Sequence, residues 1–440
     1  MARDLGIKKT HELMKTRLAD YITSQYFGEN QLLLDSADEL LAKEGNLYQK
    51  PYIESAPSYI KTENGISNCN IKPNVKLVFE ELVNKKLGVF KTPFKHQIQS
   101  LENFANGRNL FVATGTGSGK TECFMWPILY KLVDEILNSK KSWEQRGVRA
   151  MLIYPMNALV SDQIARLRSI ICDEEGEFIN ILHRHAGETR RPQFGMYTGR
   201  TQYPGNRLSK STNIKIAKSY EKSYLIQDDL TEDEKREKQK DIDGLKNINK
   251  YPAKNMKAFV DALKSDELAK YDSSNDAELM LRYEMQQHTP DILITNYSML
   301  EYMLIRKVEN NIWSETKKWL SESADNKLLI VIDEAHMYSG ASGGEVALLI
   351  RRLFSRLGID SKKVQFIMTS ASMPNDSEED KLYIKNFAEN LSGCSSDSFE
   401  YLFGEKEELI VKNKNSSVHV RDSMFSSHRY FLCFSRPDCV

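Results

Sequence analysis

The sequence predicts an α/β fold with a mainly parallel central sheet flanked by helices, and three features point to it. From Gly88 onward, short β-rich apolar runs recur. Each is followed by a turn signal and an amphipathic helix. The runs are apolar on both faces, as strands of a buried parallel sheet must be. They are Asn109–Ala113, Ala150–Tyr154, Asp291–Thr295, Leu328–Ile332 and Gln365–Thr369. Residues 1–87 are expected to form a mostly helical region, with Leu32, Leu33, Leu34, Leu40 and Leu41 at helical spacing and punctuation near Pro51, Pro57 and Gly65. Residues 88–404 are expected to form the α/β domain. Within it, from about 201 to 288, the β signal gives way to a charged helical insertion; its Lys, Glu and Asp alternation after Asp228 fits a solvated face, with a partner site as the minority reading.

A chain of 440 residues, 40% hydrophobic, can bury a sizeable core. Its formal net charge of zero supplies no global basic field, so any contact with nucleic acid must come from local patches. The six cysteines (Cys69, Cys123, Cys172, Cys394, Cys433 and Cys439) are scattered without a C-x-x-C pair, which fits a reducing compartment. No run approaches the roughly 18 apolar residues of a spanning helix. A cytoplasmic location with no membrane partner is therefore expected.

The run Leu110–Ala113 leads into Thr114-Gly115-Thr116-Gly117-Ser118-Gly119-Lys120-Thr121, with Glu122 next, and a helix follows with apolar residues at Phe124, Ile128, Leu129, Leu132 and Ile136. Strand, glycine-rich loop and helix in register are the context of a phosphate loop. The glycines let backbone N–H groups converge on phosphate oxygens at a helix N-terminus. Lys120 would then face the β- and γ-phosphates, and the Thr121 hydroxyl would ligate Mg²⁺. A second motif, Asp333-Glu334-Ala335-His336, follows the run Leu328–Ile332. Asp333 suits Mg²⁺ and Glu334 the polarisation of an attacking water. His336 reads as a nucleotide sensor or as an ordinary hydrogen-bonding histidine. Behind it, Ser370-Ala371-Ser372 is placed to couple this box to a neighbouring lobe.

Taken in order, these motifs resemble the DEAD/DEAH-box helicases of superfamily two, over roughly Gly88 to Gly404. The resemblance implies a RecA-like P-loop lobe that uses ATP and Mg²⁺ and acts on nucleic acid. Thr114 in place of the first loop glycine fits that superfamily. Pro93-Phe94-Lys95-His96-Gln97 looks like its adenine-reading element, with Gln97 hydrogen-bonding the base; Phe94 or Phe90 either packs on the ring or belongs to the core. Pro155, Asn157 and Ala158 occupy the place of a backbone-tracking motif, with Asn157 where the family has arginine. Gly199-Arg200-Thr201 and Thr295-Asn296 resemble two further strand-contact motifs, and Arg200 is the candidate phosphate contact. The string 333–353 looks like a narrower subgroup that includes DNA helicases of the mitomycin-repair type and of phage-defence islands. That implies DNA rather than RNA, 3′-to-5′ movement and a repair or defence role.

Such motors place ATP between two RecA-like lobes, the second supplying arginine fingers. Residues 405–440 are too few for that lobe and read as the start of a following region, apparently truncated, so a second lobe or a partner subunit is expected. His428, Cys433 and Cys439 leave a zinc-binding module open. A non-catalytic nucleotide-responsive module, a half of a split motor and an RNA helicase stay as alternative readings.

Overall fold

The structure, a computed structural model, describes residues 6–26, 36–37, 39–41, 43, 45–48, 58–63, 65–115, 117–155, 157–171, 176–203, 209–371, 373 and 377–407, with backbone alone at 7, 8 and 157–161. His428, Cys433, Cys439, Thr116, Ser372, Cys172, Leu32–Leu34, Pro51 and Pro57 lie outside the described residues. The chain divides into two compact units, one of Tyr59–Glu405 and one of Met1–Ser58 with Lys406–Val440. In the smaller unit, helix α1 (Gly6–Tyr26) is tethered where the Lys15 ammonium donates to the Tyr48 hydroxyl at 2.9 Å and lies over its ring.

The larger unit is built on one eight-stranded sheet. In chain order its elements are α2 (Pro73–Asn84), α3 (Lys95–Ala105), β1 (Asn109–Ala113), α4 (Glu122–Asn138), α5 (Lys140–Glu144), β2 (Ala150–Tyr154), α6 (Asn157–Ile171), α7 (Glu177–Ala186) and β3 (Phe194–Tyr197). The insertion comes next as α8 (Lys210–Tyr224), α9 (Glu232–Asn247) and α10 (Met256–Lys264). Then come β4 (Glu278–Leu279), α11 (Arg282–Gln287), β5 (Ile292–Asn296), α12 (Tyr297–Ile305), α13 (Asn310–Glu322), β6 (Leu328–Ile332), α14 (Gly340–Leu357), β7 (Val364–Ser370), α15 (Glu378–Ser392) and β8 (Phe399–Leu402).

The strand order is β4-β3-β5-β2-β6-β7-β1-β8, and every pairing is parallel. A parallel sheet needs helices on both faces, and the side-chain alternation of the strands feeds both. In β2, Ala150, Leu152 and Tyr154 join the core formed with α2, α4 and α7, whereas Met151 and Ile153 join the core formed with α12, α13 and α14. The insertion has a small core of its own, with Ile216, Phe259, Val260 and Leu263 at its centre. Among the described residues no helix is long and apolar enough to cross a membrane.

Where the strands begin, charge replaces apolar packing. Arg149, fully buried just before β2, donates to Glu135 of α4 through Nε (3.2 Å) and Nη2 (3.0 Å), and its Nη1 stands 3.3 Å from Asp291 before β5. Its guanidinium lies over the Trp143 and Trp319 rings. Asp291 in turn accepts a two-pronged contact from Arg190 at 2.8 and 2.7 Å. These groups fasten α4, β2, β5 and the approach to β3 to one another. Arg149→Ala would leave the buried Glu135 without its guanidinium while Asp291 keeps Arg190, so urea unfolding should show a loss of about 3–5 kcal/mol. An unchanged midpoint would mean that the network holds nothing together.

Candidate active site

All strands run parallel, so their C-terminal ends share one edge of the sheet, where open α/β sheets place ligands. At that edge Thr114 continues β1, its N–H donating to Ser370 O at 3.2 Å, before the chain turns away. Gly117 and Gly119 take positive φ values of 78° and 74°. At Gly119 a Cβ would stand 2.4 Å from Gln97 Nε2, so a larger residue is doubly excluded. The Thr114 and Ser118 hydroxyls lie 2.7 Å apart and close the loop across its base.

Residues of α3 hold the loop from behind. Gln97 accepts the Phe94 N–H at 3.0 Å and donates through Nε2 to Gly119 O at 3.0 Å, so both ends of its amide are engaged within the protein. His96 Nε2 is 2.9 Å from Ser118 O. A carbonyl only accepts, so the proton sits on Nε2. Burial holds the pKa of this imidazole below its ordinary value, leaving it neutral. The His96 ring stacks on Phe94 and meets Tyr59 edge-on, and the Tyr59 hydroxyl accepts the Gly115 N–H at 2.8 Å. Phe94 is thus packed inside this cluster.

Lys120 and Thr121 lead into α4, with Thr121 at its N-cap position and helical in backbone. Lys120 Nζ is buried without a hydrogen-bond partner among the described residues; its nearest acid is Glu334 Oε1 at 3.8 Å. Burial pulls the pKa of Lys120 down, against the pull of Glu334 and Asp333. Glu122 is buried and paired with Arg166.

The acidic box leaves β6 between β2 and β7. Asp333 Oδ1 accepts the Glu334 N–H at 3.0 Å and the Thr369 hydroxyl from β7. Burial pushes the Asp333 carboxyl above its usual range, and the Thr369 bond and Lys120 only partly offset that. Glu334 has φ 51° and ψ 47°, the left-handed region that a side-chain-bearing residue occupies at a cost of roughly 1–3 kcal/mol. Its Oε2 is buried without a hydrogen bond among the described residues, although His336 Nδ1 stands 3.3 Å away. That nitrogen is also 3.2 Å from the Ser370 hydroxyl. Lys120, Glu334, His336 and Ser370 therefore form a continuous polar line across the tips of β1, β6 and β7. Ala371 comes after them, half-buried.

The strand-contact candidates sit at the tips of β2, β3 and β5 on the same edge. Thr201 donates to Met196 O at 2.6 Å and accepts the Thr198 N–H at 3.0 Å, a knot that leaves Gly199 and Arg200 exposed. Thr295 is buried and donates to Tyr197 O at 2.8 Å; Asn296 caps α12 by accepting the Met299 N–H at 2.7 Å. Both stabilise the backbone here. Pro155 is half-buried at the end of β2, and only the backbone of Asn157 and Ala158 is described. Arg282 of α11 donates to the carbonyls of Thr198 and Gly199 at 2.8 and 3.0 Å, holding the Arg200 turn from the far end of the insertion.

Tyr59, Arg166 and Arg282 are site residues that no motif announced, whereas Thr369 opens the Thr369–Ser372 string, whose hydroxyls at a strand end suit bonds to the acidic box, and its hydroxyl makes such a bond to Asp333. His96 is flanked by motif residues, and its place beside Gln97 was a usable signal. Tyr59 and Arg282 are joined to their targets only by the fold.

A family model described as DEAD/DEAH box helicase matches residues 94–204 and 245–380. The chain is 38% identical over 446 residues to the Druantia protein DruE of Escherichia coli (strain UMEA 4076-1), a match covering 94% of this chain and 23% of that protein. It thus spans less than a quarter of that relative's length. Among solved structures, the DUF1998 helicase MrfA bound to DNA and AMPPNP aligns at 18% identity and a TM-score of 0.41, covering 84% of this chain and 33% of that one. The yeast DEAD-box splicing factor Prp28 aligns at 14% identity and a TM-score of 0.41, covering 88% and 60%.

The raised pKa of Asp333 yields a stability test. Its folded value lies above the unfolded one, so the carboxyl favours the fold most when protonated, and that contribution is lost as pH rises through the folded value. Asp333→Asn should therefore raise the thermal midpoint of the ligand-free protein at pH 7 and change it little near pH 3. A lower midpoint at pH 7 would contradict a carboxylate held at a cost.

Proposed function

The chain belongs to the DEAD/DEAH box helicase family, an ATP-dependent class of nucleic-acid enzymes, and we propose that residues 88–404 are the first RecA-like lobe of a motor driven along DNA. The proposed organisation keeps 1–87 as a preceding region, about 201–288 as an insertion and 405–440 as the beginning of a further region. One observation carries the reading of the site. Lys120 Nζ and Glu334 Oε2 are buried, polar and without hydrogen bonds among the described residues, across a glycine loop that opens a helix. Buried polar atoms are rarely left so unless a ligand completes them.

The residues present fit ATP with Mg²⁺. Lys120 and the loop N–H groups from Thr116 to Thr121 would hold the phosphates, with the Thr116 and Ser118 side chains beside them and with Gly115 and Glu122 held behind by Tyr59 and Arg166. Thr121 and Asp333 would hold the metal, which when bound offsets negative charge on the phosphates. Glu334, its Oε1 3.8 Å from Lys120 Nζ, would orient and deprotonate the attacking water. His336, between Glu334 Oε2 and the Ser370 hydroxyl, would report the state of that carboxylate to Ser370, Ala371 and Ser372. Phe94 and Gln97 would serve the base end, Gln97 by fixing the loop as well as by any contact with adenine. Pro155, Asn157, Ala158, Gly199, Arg200, Thr201, Thr295 and Asn296 would line the strand path, with Arg200 the exposed charge and Thr201, Thr295 and Asn296 shaping the turns.

DNA is preferred on the likeness of the 333–353 string to repair and phage-defence helicases, and a defence or repair role rests on the same likeness. A second lobe or partner subunit would supply arginine to the phosphates, a contribution of about 10³–10⁵ in rate in comparable enzymes.

In fluorescence titrations with Mg²⁺ and a labelled ATP analogue, Lys120→Ala should abolish binding. Glu334→Gln should bind as the parent does but hydrolyse ATP at least about 100-fold more slowly. Tight binding by Lys120→Ala would overturn the assignment. This chain alone should turn ATP over slowly even with DNA; fast strand-stimulated turnover would refute the need for a second lobe. Competition between matched DNA and RNA strands at fixed salt decides the substrate.

A further inference from the structure

The insertion carries two charged helices of different kinds. On α9 the charges are mixed and partly satisfied within the helix, as Lys235 pairs with Glu232 and Arg236 with Asp233. That is how a solvated face is built. Helix α8 is different. Its buried side, Asn213, Ile216 and Ala217, packs in the insertion's core with Phe259 and Leu263 of α10. At 100° per residue, Lys215, Lys218 and Lys222 fall within about 60° of one another, directly opposite that buried side. All three are exposed. Among the described residues none has an acidic partner, and Glu221, the helix's single acid, is already taken by Lys264. Three unneutralised like charges in a row repel one another, and a structural role would not ask for them.

The insertion that carries the ridge joins the proposed strand path at both of its ends. The chain enters the insertion from the turn that exposes Arg200 and returns at Arg282, whose N–H donates to Gln202 O at 3.1 Å and whose guanidinium holds the Thr198 and Gly199 carbonyls. From Lys215 to Lys222 the ridge runs about 10 Å along the helix at 1.5 Å per residue, a length that spans about three phosphate steps of one strand at about 3.4 Å each.

We propose that Lys215, Lys218 and Lys222 form a second phosphate-binding ridge that extends the DNA path from the Arg200 turn onto the insertion. The proposal rests on the strand-path reading above. It assigns the insertion a backbone contact without sequence preference, since lysine ammonium groups on a convex helix face read charge and not bases.

The test is fluorescence anisotropy of a labelled single-stranded DNA with this chain across a salt series. The variant K215Q/K218Q/K222Q should bind at least 10-fold more weakly at low salt. Its slope of log binding constant against log salt should be shallower by about 2, at roughly 0.7 per lost phosphate contact. The variant K235Q/R236Q/K240Q on α9 makes the same change in net charge and should bind as the parent does. Matching thermal midpoints show that all three proteins are folded. If the parent binds and the α8 variant keeps its affinity and slope, the ridge is refuted while the strand path stands. Equal losses in both variants would also refute it, since a diffuse field would then account for the effect. If the folded parent binds no DNA at any salt, the strand-path reading falls and the ridge with it.

Discussion

Strand β6 has neighbours on both edges and helices over both faces, so the buried Asp333 leaves it at a point where an ionised carboxylate is costly, with Glu334 half-buried beside it. Lys120, 3.8 Å from Glu334, is the one cation the phosphate loop brings to them, and its own burial weakens it. Two acids against one ammonium leave the pocket short of positive charge, while the ammonium lacks a hydrogen-bonding anion among the described residues. A ligand that relieves both must carry both signs. A polyphosphate with a divalent cation does so, and the loop glycines and the N-terminus of α4 add donors for the anionic part. Most of the remaining arrangement serves to keep these three side chains at that separation.

Strand order does the largest share of that work. Only β7 stands between β1 and β6, with Ala113 in register with Ser370 and Ile332 with Met368. The loop and the acidic box are therefore one strand apart, and the Thr369 and Ser370 hydroxyls fill the interval, one on Asp333 and one beside His336. These contacts tie the box directly to β7. The other half of the sheet, β2, β5 and β3, presents the strand-contact turns on the same edge, so both candidate functions share one rigid support. The buried Arg149 cluster at the opposite end fastens the strands without intruding on either.

The long central strands were legible because complete burial demands unbroken apolar runs, and β1, β2 and β6 match their runs residue for residue. β5 starts one residue later than its run, since Asp291 is committed to Arg190 and Arg149. Strands β3, β4 and β8 left little signal. Phe194–Tyr197 is short and holds a glycine, Glu278–Leu279 is a two-residue edge, and Phe399–Leu402 is only half-buried at the other edge. The phosphate loop and acidic box were legible because each is contiguous. The contacts of Tyr59 with Gly115 and of Arg282 with Thr198 were not, as 56 and 84 residues separate the partners. The α8 lysines are hidden for a related reason: at spacings of three and four they form a ridge only once the helix is wound, whereas the denser run on α9 is conspicuous in sequence and cancels itself.

Glu334 shows what the fold gives up for chemistry. A glycine would adopt φ 51° without strain, and asparagine with little. A glutamate there is held by its neighbours: its N–H is fixed by Asp333 Oδ1, and its carbonyl accepts the Met337 N–H at 2.9 Å, which winds Ala335–Tyr338 into a 3-10 turn. That turn brings His336 to within reach of both Glu334 and Ser370. Strained backbone, half-buried carboxylate and histidine contact are thus one construction. Relaxing the backbone by replacing Glu334 would remove the carboxylate opposite Lys120 as well, so at this position stability and the proposed chemistry pull in opposite directions.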